Sequence, residues 1–364
     1  MMNIQITKLE QYLAHIHHEP VEVIQIQPLG ADPDSDGDLK AFGYGQPVHI
    51  IYQHDGVRKE RVLRQVRRNG YGREMKADRL AAVWQDYETF NHLSRHVPAE
   101  DVLGLTHDGG LISLGEVEDF LLLTNYASGL PYAQDLITIR DTGRAQPLDR
   151  QRVRVLAQYL AKIHQVVKDD PLLWRRRLRD LIGHGEGIMG LADSYPADFA
   201  PISTAELIAL ENTANRWRWR LKPLHHRLRQ VHGDFHPFNI IFRPGSIDFT
   251  LLDRSRGAWG EPADDVSCLA INFIFFSLQR SGRLAEPFTG LYHTFWETYL
   301  AERADDDLCR VIQPWFTWRA LVLASPQWYP HQSFQSRQAM LALARNVVAA
   351  DEFDWRNPQQ YLED

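Results

Sequence analysis

Three polar residues have types and spacing that suit phosphate chemistry. The stretch VHGDFHPFNIIF (231–242) places Asp234 five residues before Asn239, and Asp253 follows the next apolar run. An amide oxygen and a carboxylate suit Mg²⁺, a hard cation that completes its shell with water and phosphates. Asp234 lies outside that ligand pair and is free to accept a proton from a hydroxyl. The pattern therefore predicts phosphoryl transfer, with Asp234 as the base and Asn239 and Asp253 as Mg²⁺ ligands.

A hairpin is needed to bring the two metal ligands together. The runs NIIF (239–242) and FTLL (249–252) read as short strands, and the segment between them contains a Pro-Gly turn. Such a hairpin would carry Asn239 at one end and Asp253 at the other, side by side. The plainer interpretation of either residue alone is a turn or cap position.

A second interpretation of the same stretch is a hydrolase metal site. His232, Asp234 and His236 have side chains that can bind a transition metal. This interpretation leaves Asn239 and Asp253 unused and supplies no other His-rich partner motif. His236 precedes a proline and is expected only to pack in the loop.

Composition limits the classes of protein to consider. The 364 residues are 44% hydrophobic and 24% charged, with a net charge of -7, which suits a soluble globular protein and argues against a nucleic-acid partner. Two cysteines, Cys268 and Cys309, are too few for a disulfide framework. The longest apolar run (268–276) is too short to span a bilayer and predicts a buried helix. We expect a cytoplasmic monomer or homodimer that does not bind membranes.

The first third of the chain predicts strands and helices that form a small unit. Asp55-Gly56 is a strong hairpin signal. Apolar residues at helical spacing predict one helix around 80–90. The predicted strands are VEVIQIQPL (21–29), VHIIYQ (48–53), RVLRQV (61–66) and, as a buried strand, DFLLLTNYASG (119–129).

The remainder of the chain is mostly helical in pattern. A clear apolar stripe covers 149–167, with Asp149 as the expected N-cap. The predicted fold class is α+β with two lobes. Residues 1–124 form an N-terminal nucleotide-binding lobe with a small antiparallel sheet, and residues 125–364 form a helical catalytic and acceptor-binding lobe.

Three motifs together resemble the aminoglycoside phosphotransferase and choline kinase superfamily, which has a protein-kinase-like fold. They are HGDFHPFN, LLDRS and GEPADDV, and residues 232–265 carry the sharp part of the match. The family has a Gly-Asp-Pro-x-x-Asp element. Here Glu261 stands in place of the Asp before the proline, and Asp265 matches the final Asp. The resemblance implies that Asp234 is catalytic, that Asn239 and Asp253 hold Mg²⁺, and that Asp265 braces the backbone of the catalytic loop.

The resemblance also implies an ATP site in the first lobe. Arg64, which strand alternation places on one face with Val62 and Val66, matches the phosphate-binding cation. Its partner is a helix carboxylate, either Asp86, which fits the family spacing, or Glu88. The adenine edge is expected to meet the backbone at the lobe crossover, formed by Thr124, Asn125 and Tyr126.

The loop expected to cover the phosphates is acidic. Residues 32–38 contain four Asp, which would repel phosphate unless they point outward. They mimic the start of an EF-hand loop, but position twelve is Gly43 instead of Glu, so we do not predict calcium. A solvated hairpin tip is the favoured interpretation.

The acceptor is predicted to be a small molecule. Only eight residues separate Asp253 from Pro262, too few for a peptide-binding platform. Ser255 stands where the family often has a carboxylate, and Arg254 and Arg256 flank it, which favours a neutral or anionic acceptor.

Aromatic residues near the C-terminus offer a further candidate acceptor site. They either line a pocket, or cage a cation, or belong to the core, and Arg319 among them needs an acidic partner if it is buried. The aromatic residues are Trp315, Trp318, Trp328 and Tyr329. We predict an ATP- and Mg²⁺-dependent phosphotransferase; the alternative is a catalytically silent nucleotide-binding regulator.

Overall fold

The computed structural model describes residues 4–29, 47–254 and 256–363. The chain divides into two compact units, Met1–Thr124 and Asn125–Asp364. The acidic loop 32–38, Gly43 and Ser255, on which sequence expectations fell, lie outside the described residues.

The first unit is built on a three-stranded antiparallel sheet in the order β1-β2-β3. Asp55 and Gly56 join β2 to β3 with φ of 49° and 70°, the left-handed pair that a type I′ hairpin turn requires. A small core forms where α1 places Leu9 and Leu13 against Ile50 and Tyr52. The elements are α1 (Ile6–His17), β1 (Glu22–Pro28), β2 (Val48–His54), β3 (Val57–Leu63), α2 (Lys76–Phe90), β4 (Leu103–Leu105) and β5 (Leu111–Ser113).

Two expectations for this part of the sequence were wrong. The strand predicted over 61–66 ends at Leu63, which pairs with Val48 at the end of β2, so Arg64 follows the strand instead of lying within it. The buried strand predicted over 119–129 is irregular, and Leu121 and Leu123 are 93% and 97% exposed. A strand needs a neighbour for its backbone groups, and among the described strands none pairs with this segment.

The second unit is mostly helical and holds the main hydrophobic core. Its centre is α8, a helix of twenty residues that is buried over nearly its whole length. The helices are α3 (Tyr132–Thr142), α4 (Pro147–Ile163), α5 (Pro171–Gly183), α6 (Ile188–Asp193), α7 (Thr204–Leu221), α8 (Pro262–Ser281), α9 (Phe288–Glu302), α10 (Leu308–Val311), α11 (Gln313–Ala324) and α12 (Phe334–Ala349). Short 3₁₀ helices lie at His225–Arg227, Pro237–Asn239 and Pro358–Tyr361.

The start of α4 also differs from the sequence expectation. Pro147 occupies the first turn, where its fixed φ suits a helix start, and Gln146 is the N-cap. Asp149 therefore lies in the first turn of the helix, and its carboxylate accepts from the backbone N–H of Gln146 at 2.6 Å.

Two small antiparallel sheets in the second unit have strands that flank Asp234, Asn239 and Asp253. Strands β6 (Leu130–Pro131), β8 (Ile240–Phe242) and β9 (Phe249–Leu251) form one, in the order β6-β8-β9. Strands β7 (Arg229–Gln230) and β10 (Trp259–Gly260) form the other. The predicted hairpin of residues 239–252 is thus confirmed, as is the predicted α+β fold class. Within the described residues, no helix is long and apolar enough to cross a membrane.

Candidate active site

Hydrogen bonds to its backbone fix the loop that carries Asp234. It leaves β7 and ends in the 3₁₀ helix Pro237–Asn239 before β8 begins. Gly233 has φ of 87°, in the left-handed region where a side chain would be strained. This conformation lets successive N–H groups of the loop point toward one acceptor.

That acceptor is Asp265 in the first turn of α8, as the family resemblance implies. The fully buried carboxylate accepts from the backbone N–H groups of His232 and Gly233, both at 2.7 Å. His164, at the C-terminal end of α4, lies with Nε2 3.1 Å from the same carboxylate and Nδ1 2.8 Å from the Tyr299 hydroxyl. Burial would raise the pKa of Asp265, yet His164 and the two N–H groups hold it below its ordinary value. The loop backbone is therefore fixed to two helices.

Asp234 itself is an ionised carboxylate held between cations. Its Oδ1 lies 2.8 Å from Arg319 Nη1 and 2.5 Å from Arg256 Nη1, and its Oδ2 lies 3.5 Å from His236 Nε2. Burial would raise its pKa, but His236, Arg319 and Arg256 outweigh burial and lower the pKa. Asp234 is thus an acceptor of hydrogen bonds. His236 contacts the carboxylate, so the expectation that it only packs in the loop was wrong.

Arg319 comes from α11 and has the acidic partners that burial requires. Its Nη2 lies 2.6 Å from Asp264 Oδ1 and 3.3 Å from the Gly233 carbonyl oxygen, and its guanidinium covers the Trp318 ring at 4.0 Å. Burial raises the pKa of Asp264 to about 6, against the opposing effect of Arg319. The sequence indicated that Arg319 needed an acid. The sequence did not indicate that Asp234 is one of these acids.

The two arginines around position 255 have different roles in the structure. Arg254 donates from Nε and Nη2 to the Val231 carbonyl oxygen, at 3.0 and 2.6 Å, and so stabilises the loop backbone. Arg256 reaches Asp234, and its guanidinium lies 4.8 Å from the Trp318 ring. The acids that follow them in the sequence are bound by other arginines. Glu261 is bound by Arg227 at 2.6 Å, and Asp264 by Arg319.

The hydrolase interpretation is wrong. His232 Nε2 lies 3.0 Å from the Leu252 carbonyl oxygen, and its Nδ1 accepts from the Asp234 N–H at 3.3 Å, so both ring nitrogens are used by backbone. In the part of the chain that the structure describes, no group of three His, Cys, Asp or Glu side chains could hold a metal.

Asn239 and Asp253 lie at the same end of the β8–β9 hairpin. Ile240 pairs with Leu251, and the Leu252 N–H donates to the Asn239 carbonyl at 2.8 Å. The Asn239 amide nitrogen donates to the Asp234 carbonyl oxygen at 3.1 Å, so the amide oxygen is the atom left for a cation. Asp253 is exposed, with φ of 47°. One amide and one carboxylate oxygen fit Mg²⁺, which takes its other ligands from water and phosphates.

The first unit contains the predicted cation and its partner. Arg64 Nη2 lies 3.4 Å from Asp86 Oδ2, while Glu88 accepts from the Trp84 indole N–H at 2.8 Å. The Arg64 and Asp86 side chains are 55% and 39% exposed. An exposed pair of this kind contributes about 1 kcal/mol or less, so Arg64 can exchange Asp86 for another anion at small cost.

The residues proposed for the adenine edge lie in irregular chain. Thr124, Asn125 and Tyr126 belong to the segment that joins the two units in sequence, and Tyr126 is 91% exposed. Their contact with adenine stays a prediction.

Comparison with known proteins identifies the family. Residues 52–304, more than half of the chain, match the model of the phosphotransferase enzyme family. The chain therefore belongs to that family, which confirms the resemblance found in the sequence motifs. Among curated proteins none matches significantly.

Several solved structures are similar to this chain at low identity. One is a glucosamine kinase in complex with glucosamine, ADP and inorganic phosphate, with 18% identity, TM-score 0.38 and 58% of each chain covered. Another is an amicoumacin kinase in complex with AMP-PNP, Ca²⁺ and Ami, with 14% identity, TM-score 0.41 and 96% of each chain covered. A choline kinase from Streptococcus pneumoniae has 14% identity and TM-score 0.35 over 94% of this chain and 97% of its own. These TM-scores denote weak similarity, so the family assignment rests on the sequence match.

Proposed function

We propose that this protein transfers the γ-phosphoryl group of ATP to a hydroxyl group of a small molecule. The observation that carries the proposal is Asp234, a carboxylate kept ionised on a loop whose backbone Asp265 fixes. Membership of the phosphotransferase family supports it. The hairpin that brings Asn239 beside the Asp253 position supports the use of a divalent cation.

The chain's own residues have separable tasks in this reaction. Asp234 orients the acceptor hydroxyl and takes its proton as the new oxygen–phosphorus bond forms and the bond to the β–γ bridging oxygen breaks, releasing ADP. Asn239 and Asp253 hold Mg²⁺, which supplies neutralisation of phosphate charge when bound. Arg64 binds phosphate in the first unit. Most of the rate comes from positioning and electrostatic stabilisation, for which a fixed loop is suited.

A direct assay tests the proposal. The full chain is incubated with ATP, Mg²⁺ and a pooled mixture of small hydroxyl compounds, and phosphorylated products are identified by mass spectrometry together with ADP release. We expect at least one new phosphate ester, absent with Asp234→Asn. If ATP binds and no ester forms with any acceptor, the proposal is wrong and the alternative, a nucleotide-binding regulator, is supported.

A further inference from the structure

Two arginines bind the same oxygen of Asp234, but they are anchored differently. Arg319 is 7% exposed and is also bound by Asp264 at 2.6 Å, so it has a second, buried anion. Arg256 is 26% exposed, and its other acid is Glu186, at 3.5 Å and 59% exposed. Because exposed pairs are weak, Arg256 depends mainly on Asp234 for charge compensation. Arg256 is the cation that can change partner.

Arg256 and Arg319 each have a guanidinium donor that no described residue uses. Among the described residues, no hydrogen-bond partner is found for Nε of Arg256, although that atom is buried. The same holds for Nε of Arg319, whose side chain is more than nine-tenths buried. A buried donor without a partner is costly, and a guanidinium offers paired N–H groups that match the two oxygens of a carboxylate or phosphate.

A cationic acceptor would be disfavoured at this place. The ring of Trp318, which could otherwise attract a cation, already has Arg319 at 4.0 Å and Arg256 at 4.8 Å. An ammonium group approaching Asp234 would meet both guanidinium groups. An anionic group would instead replace Asp234 as the partner of Arg256 and leave a carboxylate oxygen available for the hydroxyl.

We propose that the acceptor carries a carboxylate or a phosphate group, and that Arg256 binds this group while the acceptor hydroxyl faces Asp234. The inference rests on the proposed function for its second half, since the hydroxyl is relevant only to transfer. Its first half, recognition of an anion by Arg256, is a statement about binding and can be measured without turnover.

Matched acceptors of different charge test the inference. Glycerate and glycerol 3-phosphate are compared with neutral glycerol and cationic 2-aminoethanol, and gluconate and glucose 6-phosphate with glucose and glucosamine. Binding to the full chain is measured by calorimetry without nucleotide, and phosphorylation is measured separately with ATP and Mg²⁺. The carboxylate and phosphate members of each set distinguish the two anionic groups.

We expect anionic members to bind the wild-type chain at least about tenfold more tightly than their neutral counterparts, as charge-assisted paired hydrogen bonds imply. Arg256→Ala should reduce this preference to within about threefold, and Arg256→Lys should restore part of it because a point charge remains. Arg310→Ala is the matched control, since Arg310 is a 62% exposed arginine of α10 paired with surface acids. It should leave the preference unchanged.

The outcomes separate the inference from the proposed function. Equal or tighter binding of neutral or cationic members, or an anion preference that survives in Arg256→Ala, overturns the inference. Phosphorylation of glycerol or glucose without anion preference does so while the proposed function stands. Anion binding that requires Arg256, with no ester formed from any compound, supports the inference on recognition and counts against phosphoryl transfer.

Discussion

The loop around Asp234 in the second unit and the Arg64–Asp86 pair in the first unit use charges in opposite ways. Asp234 and Arg319 are buried, and the loop backbone is fixed by hydrogen bonds to Asp265. The Arg64–Asp86 pair is exposed on both sides and joined at 3.4 Å. Removing one member of a buried pair leaves the other charge buried without compensation, which costs stability. Removing one member of an exposed pair changes the stability little.

This difference fits the two proposed tasks. A base must be held in position, whereas a phosphate-binding cation must be able to bind an incoming ligand. A general base works only within hydrogen-bond reach of the proton it takes, so its loop needs a fixed backbone. A phosphate-binding arginine must release its protein partner when the ligand arrives, and a weak pair allows this. Substitutions in the two regions should therefore separate effects on turnover and stability from effects on binding.

The largest effect is expected for Asp234→Asn. An amide cannot take a proton, so turnover should fall by roughly 10²- to 10⁴-fold, the contribution typical of a general base. Affinity for Mg²⁺·ATP should stay within about threefold, because the task proposed for Asp234 is on the acceptor. Steady-state kinetics and calorimetric titration measure the two quantities.

Asp253→Ala is the matched contrast for this substitution. Loss of this proposed metal ligand should remove the dependence of ATP binding on Mg²⁺. If Asp234→Asn abolished nucleotide binding and Asp253→Ala preserved it, the two roles would be exchanged.

Asp265→Asn should come next in size. The carboxylate accepts two backbone N–H groups and faces His164, and an amide would turn its own N–H₂ toward one of these donors. The unsatisfied groups should lower the free energy of unfolding by about 3 kcal/mol, with turnover reduced as well. Denaturant unfolding measures the stability change.

Asp307→Asn, at a 58% exposed acid of the same unit, is the control and should shift stability by less than about 0.5 kcal/mol. An Asp265→Asn chain as stable as wild type would contradict the idea that the Asp265 carboxylate fixes the loop.

A smaller effect is expected from pH at Asp264. Its folded-state pKa is raised from 3.8 to about 6 by burial, so the folded chain binds the proton more tightly than the unfolded chain. The stability contribution is therefore fully present below pH 3.8 and is lost as pH rises to about 6, by at most about 3 kcal/mol. Unfolding free energies of wild type and Asp264→Asn between about pH 4 and 7 measure it. We expect the difference in unfolding free energy between wild type and Asp264→Asn to change over this pH range. A constant difference would show that Asp264 does not titrate there.

Arg64→Ala should have the smallest effect, and only on binding. Loss of one charge-assisted phosphate contact should weaken ATP binding by about tenfold, and Arg64→Lys should restore much of it. Stability should change by less than about 1 kcal/mol, since the Asp86 pair is exposed. Arg58→Ala, at a 62% exposed position of β3, is the control. Unchanged ATP affinity in Arg64→Ala would place the phosphate-binding cation at another arginine, such as Arg61 or Arg67.

Local patterns in the sequence were sufficient for much of the fold. The Asp55-Gly56 turn, the strand before it and the β8–β9 hairpin were predicted correctly because residues close in sequence decide hairpin register and turn type. The same local pattern was enough to place Asn239 and Asp253 at one end of the β8–β9 hairpin. The strand over 119–129 was wrong because an apolar run predicts burial only when a neighbouring strand receives it.

The sequence by itself determined which groups the candidate site contains: the proposed base Asp234, the proposed cation ligands Asn239 and Asp253, and a carboxylate after β10. Only the tertiary structure decided how those groups are held. Arg319 is 85 residues from Asp234, and His164 is 101 residues from Asp265. Contacts at such separation depend on how α4, α8 and α11 pack, which no local periodicity specifies. The same packing selected Arg256 over its neighbour Arg254 as the cation at Asp234, because the direction of a side chain from an irregular loop is set by what surrounds it.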